Sequence, residues 1–139
     1  MIGLDTNILA RYFIEDDGDH EACKHRELAR VLIESGKALM VSKTVILELE
    51  WVMRGYYKFE REEIASVLSA LISFPNVTIE DVLSVEQAID GFEQGLDFAD
   101  ALHHASYKAC DAMATFDEKK FSKKAMKLGL VPKVFVPKS

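Results

Sequence analysis

No apolar stretch in this sequence approaches the ~20 residues needed to span a bilayer, and the N-terminus has no basic region leading into an apolar one. A soluble, cytoplasmic protein without a membrane partner is expected. Cysteine is scarce: Cys23 and Cys110 lie within helix-like patterns and form no CxxC pair. Neither a disulfide framework nor a zinc site is indicated, and both thiols are expected to be reduced and buried. With 3 prolines and 7 glycines there is ordinary punctuation but no linker, repeat or low-complexity segment. Positive charge is also in deficit. A net charge of -6 argues, as a sum, against a nucleic-acid partner.

What is present is enough apolar side chain, 49% of 139 residues, to fold residues 1–139 as one domain around one core. The basic residues are also concentrated. EKKFSKKAMK gathers Lys119, Lys120, Lys123, Lys124 and Lys127, and RGYYKFER sets Arg54, Lys58 and Arg61 among aromatics.

Short apolar stretches alternate with helical patterns along the chain. Met1 to Leu4 reads as a strand, Thr6 to Ile14 as a helix, DDGD (residues 16–19) as a loop, and His20 to Ser35 as a helix with Leu28, Val31 and Leu32 as its apolar stripe. Ala38 to Val41 is a second strand, and Ser42 caps the helix after it. In REEIASVLSALISF the residues Ile64, Val67, Leu68, Leu71 and Ile72 keep the helical period up to Pro75. Val77 to Ile79 is a third strand, SVEQ from Ser84 has capping-box form, and a helix through DFADALHHASYKAC precedes strands at Ala112 to Thr115 and Val134 to Val136. Alternation of this kind predicts a three-layer α/β/α sandwich around a central parallel sheet of about five strands, with ligands at the C-terminal strand ends.

Carboxylates collect where those ends are expected. Asp5 follows the first strand and Asp117 the fourth, while Asp97 caps a helix in which Asp100 stands at the third position. The helix dipole favours a negative charge there by about 0.3–1 kcal/mol. In SKTVILELEWVM, Val45, Glu48, Leu49 and Val52 share one helical face, so Glu48 occupies a site where the pattern wants an apolar residue and Glu50 points to solvent. Carboxylates brought together repel by roughly 4 kcal/mol per pair at 4 Å and an effective dielectric of 20. A divalent cation removes the conflict. An all-oxygen set suits Mg²⁺ or Mn²⁺, and His103 and His104 are read as packing or surface residues. Such a site serves phosphodiester hydrolysis, and the basic clusters would then guide an RNA backbone.

The segments MIGLDTNILARYFIEDD, VILELEWVM and GLDFADALHHASYKACDAMATFD, in this order, resemble the PIN-domain ribonucleases, in particular the VapC-type toxins of toxin-antitoxin pairs. The resemblance covers nearly the whole chain. It implies that Asp5, Glu48, Asp100 and Asp117 are the catalytic, metal-binding acids, with Asp97 as an accessory ligand and Thr6, Asn7 and Thr115 supporting them by hydrogen bonds. Arg11 matches a position common in the subgroup and joins Lys119, Lys120, Lys123 and Lys124 as a candidate RNA contact. The resemblance further implies a PIN-like fold, Mg²⁺- or Mn²⁺-dependent endoribonuclease activity, a homodimer, and inhibition by a VapB-type antitoxin. Trp51, Tyr56, Tyr57 and Phe59 would suit a dimer or antitoxin surface. Two other readings compete: aspartyl-phosphate chemistry, in which a phosphatase would want a second aspartate where Asn7 stands, and a non-catalytic metal- or RNA-binding scaffold.

Overall fold

A computed structural model describes residues 1–15 and 18–139. The chain is mixed α/β and packs as two compact units, Met1–Val82 and Leu83–Ser139. Asp16 and Asp17 of the expected loop lie outside the described residues.

In the first unit, β1 (Ile2–Gly3), β2 (Leu39–Val41) and β3 (Val77–Ile79) form a parallel sheet in that order, with Ile2 opposite Leu39 and Leu39 opposite Val77. Two helices, α1 (Thr6–Phe13) and α2 (His20–Ile33), join β1 to β2; α3 (Lys43–Trp51), a π-helical turn (Val52–Tyr56) and α4 (Arg61–Ser73) join β2 to β3. Parallel neighbours need such crossovers. Leu39, Val41, Val77 and Ile79 are buried, whereas Met40 is half-buried and Thr78 exposed, so these strands bury one face rather than two.

Helix α2 corrects its expected stripe. Ala22, Ala29 and Ile33 are buried and Leu32 half-buried, while Leu28 and Val31 stay exposed, because the helix turns the face one residue on, with its small alanines, toward the core. The same one-residue offset occurs in α3, where Ile46, Leu49, Glu50 and, beyond the helix, Met53 face the core at i, i+3, i+4 and i+7. Ser42 caps α3 as expected, accepting from the Val45 N–H at 3.2 Å.

The second unit holds α5 (Val82–Glu93), α6 (Phe98–Ser106), β4 (Ala112–Ala114), a π-helical turn (Glu118–Ser122), α7 (Lys123–Leu128) and β5 (Lys133–Phe135). Strands β4 and β5 pair in parallel with each other, Ala112 opposite Lys133. The five strands are thus present and parallel, but as a set of three and a set of two rather than the single sheet expected. Strands of two or three residues offer few ladder bonds to hold a larger sheet together. Because α5 starts before Ser84, that residue is no cap; its hydroxyl is buried and donates to the Ala105 carbonyl at 3.2 Å. Both cysteines are exposed: Cys23 lies on the outer side of α2, and α6 ends before Cys110. No helix among the described residues is long and apolar enough to cross a membrane.

Candidate active site

Two groups of carboxylates stand where strands give way to helices, one in each unit. In the first, the chain leaves β1 through buried Leu4 and enters α1 with Asp5 as the N-cap, its backbone extended. The Asp5 carboxylate accepts from the Thr6 N–H at 2.8 Å. Buried Thr6 turns its hydroxyl the other way and donates it to Glu48 Oε1 on α3. One threonine therefore holds two acids that are 43 positions apart in the chain (48 minus 5). Asn7, expected in a supporting role, is exposed.

The two glutamates of α3 have exchanged the surroundings expected of them. Glu48 is exposed, and Glu50 is only 2% exposed, paired with Arg54 Nε at 2.8 Å one helical turn on. Burial of a charge is tolerated when it is paired and hydrogen-bonded, and Arg54 supplies both.

In the second unit, Gly95 (φ 106°) ends α5 and lets the chain double back, so that Leu96 N–H reaches the Gly91 carbonyl at 3.0 Å. Asp97 then caps α6 as expected, accepting from the Asp100 N–H at 3.1 Å. Phe98, buried against Phe92 edge-to-face, fixes the helix start. Asp117 caps the turn after β4. It accepts from the Lys120 N–H at 3.0 Å, and its own backbone N–H, rather than its carboxylate, bonds to the Thr115 hydroxyl at 3.1 Å. Two contacts tie the Asp117 segment to the Asp97–Asp100 segment: Lys124 Nζ donates to the Gly95 carbonyl at 3.0 Å, and the Phe121 ring meets the edge of buried His104. His104 Nε2–H donates to the Pro132 carbonyl at 2.8 Å, which commits that nitrogen to packing rather than to a ligand role.

Burial, and then the charges of Asp97 and Asp117, raise the Asp100 carboxyl above its ordinary value, partly offset by His103. A carboxyl whose folded-state value is raised binds its proton more tightly in the folded state. Stability therefore falls as pH rises from the unfolded-state value through the folded-state one. Asp100→Asn should accordingly melt above wild type at neutral pH in metal-free buffer, by the few tenths of a kcal/mol typical of one like-charge helical pair, and match it near pH 3. Thermal melts at the two pH values check this; a variant less stable at neutral pH contradicts it.

The donor chemistry fits a hard divalent cation, since Asp5, Glu48, Asp97, Asp100 and Asp117 offer only oxygen. Within neither unit are three His, Cys, Asp or Glu side chains, among the described residues, already drawn together as a ligand set. Of the candidate RNA contacts, Lys119, Lys120, Lys123 and Lys124 are exposed, and Arg11 is half-buried in the last turn of α1, engaged by interactions of its own. Trp51 and Tyr56 are exposed, Tyr57 and Phe59 half-buried.

Comparison with curated proteins gives no match. The model of the PIN domain family matches residues 2–127, across both units and every acid named above. PIN domains are nuclease-type domains that act on RNA and usually bind divalent metals. By the extent of that match, and with the parallel α/β arrangement the family implies, the chain belongs to the PIN domain family.

Proposed function

We propose that this chain is an endoribonuclease that hydrolyses RNA phosphodiester bonds with Mg²⁺ or Mn²⁺, and that its two units work as one nuclease domain. Asp5, Glu48, Asp100 and Asp117 form the catalytic, metal-binding set and Asp97 is an accessory carboxylate. The protein is further proposed to be the toxin of a type II toxin-antitoxin pair: a cytoplasmic, VapC-type homodimer held in check by a VapB-type antitoxin.

The observation that carries the reading is the double engagement of Thr6, whose backbone N–H holds Asp5 and whose hydroxyl holds Glu48. Two carboxylates held by one threonine and open to solvent are accessible to a hard cation and supply oxygen donors to it. When bound, the metal supplies a water of lowered pKa and offsets charge developing on the phosphoryl group. The chain's own residues do the rest. Thr6 orients Asp5 and Glu48, Thr115 fixes the turn that presents Asp117, the Asp97 cap fixes Asp100, and the exposed lysines hold the RNA backbone.

Incubating the purified chain with RNA in Mg²⁺ or in chelator, with Glu48→Gln alongside, and sequencing the fragments tests this. Discrete fragments formed only by wild type with metal are expected; equal cleavage by all samples, or none, overturns the reading. Thr6→Val keeps the shape but loses the hydroxyl, so cleavage should fall by about 10–100-fold while Thr6→Ser remains near wild type. Equal rates for valine and serine variants would reject the orienting role.

A further inference from the structure

Phe116 stands between Thr115 and Asp117 and is 84% exposed, more than any other large hydrophobic residue described. Burial would be worth roughly 1.5–3 kcal/mol to such a side chain, so its position in water calls for an explanation. The turn that carries it is not loose. Thr115 N–H donates to the Phe135 carbonyl at 3.0 Å, Thr115 hydroxyl accepts from the Asp117 N–H, the Phe116 carbonyl accepts from the Glu118 N–H at 2.9 Å, and the Asp117 carboxylate accepts from the Lys120 N–H. Both residues flanking the ring are thus fixed, and the ring is presented to solvent by a rigid frame.

Its neighbours define what it could meet. One Cα step of about 3.8 Å separates it from Asp117, a carboxylate of the proposed catalytic set. Exposed Lys119, Lys120 and Lys123 follow within seven residues (123 minus 116). An exposed flat apolar ring one residue before a proposed catalytic acid, with exposed lysines in the residues that follow, matches the needs of a single-stranded polyanion with planar bases. Aromatic side chains stack unpaired bases, and lysines track the phosphates between them.

Resting on the ribonuclease reading above, we propose that Phe116 is a stacking platform for an RNA base adjoining the scissile phosphate and so helps select single-stranded substrate. Because it touches the base and not the reacting atoms, it acts on binding: KM carries its effect and kcat does not. The experiment compares wild type with Phe116→Ala, Phe116→Leu and Phe116→Tyr on one single-stranded RNA cut by wild type, and on the same RNA with an abasic nucleotide at each position flanking the cut. KM should rise about five- to a hundredfold for alanine and leucine, with tyrosine near wild type. One abasic position should raise KM for wild type and leave the alanine variant indifferent. Leucine equal to wild type, or an abasic penalty unchanged in the alanine variant, overturns the stacking role while leaving the nuclease reading intact. Failure of wild type to cut any RNA removes both. An alanine variant with unchanged KM but altered sedimentation mass assigns the ring to a protein contact instead and overturns the proposal.

Discussion

Asp5→Asn, Glu48→Gln and Asp117→Asn, assayed singly with RNA and Mg²⁺, should each cut on the order of a thousandfold more slowly than wild type and remain folded. These substitutions keep the hydrogen bonds and remove the charge. Asparagine caps a helix about as well as aspartate, so residue 5 can still accept from the Thr6 N–H and residue 117 from the Lys120 N–H. A glutamine at 48 still offers a carbonyl to the Thr6 hydroxyl. The folded frame therefore survives, and a lost rate reports the missing negative charge. Rates and circular dichroism on each variant decide the matter. Wild-type turnover by any one of them would remove that residue from the catalytic set.

The second large effect separates the two glutamates of α3. Arg54→Ala should lower the unfolding free energy by about 3 kcal/mol, because it leaves Glu50 buried without its counter-charge. The half-exposure of Arg54 places the cost at the lower end of the range for broken buried pairs. Adding Glu50→Leu should recover most of that loss, since a buried ion pair is often replaced by apolar contact at little cost. RNA cleavage per folded molecule should stay at the wild-type level in both. Urea unfolding monitored beside the cleavage assay tests this. A stable Arg54→Ala variant that no longer cuts RNA would place the pair in the site and reverse the assignment.

That contrast marks how far the sequence can be read. Two stripes on α3 satisfy the helical period equally, Val45–Leu49–Val52 and Ile46–Leu49–Met53, and periodicity alone cannot choose between them. The clue is electrostatic: Arg54 lies four residues after Glu50, where it can pair with a glutamate on the buried side, and Glu48 has no such partner. Helix α2 misleads for a related reason, since its core face is built on Ala22 and Ala29, which weigh little beside Leu28 and Val31 in any apolar pattern. The caps were more legible. Ser42 and Asp97 stand directly before strongly patterned helices, and each accepts the backbone N–H three residues on.

The strands are legible in order and direction but not in their pairing. Short parallel strands with long crossovers give no local record of which neighbour completes the ladder. Of the site, the acids stood out because carboxylates next to apolar strands are conspicuous. Phe116 did not, since an aromatic within a chain of half apolar composition reads as core until its exposure is known.

Anomalous diffraction from crystals grown with Mn²⁺ bears most directly on the proposal that these acids hold a cation. A manganese peak within about 2.0–2.4 Å of carboxylate oxygens of the set Asp5, Glu48, Asp100 and Asp117 is the result expected. Strong manganese density confined to other surface carboxylates, with Asp5, Glu48, Asp100 and Asp117 bare at saturating metal, would contradict it.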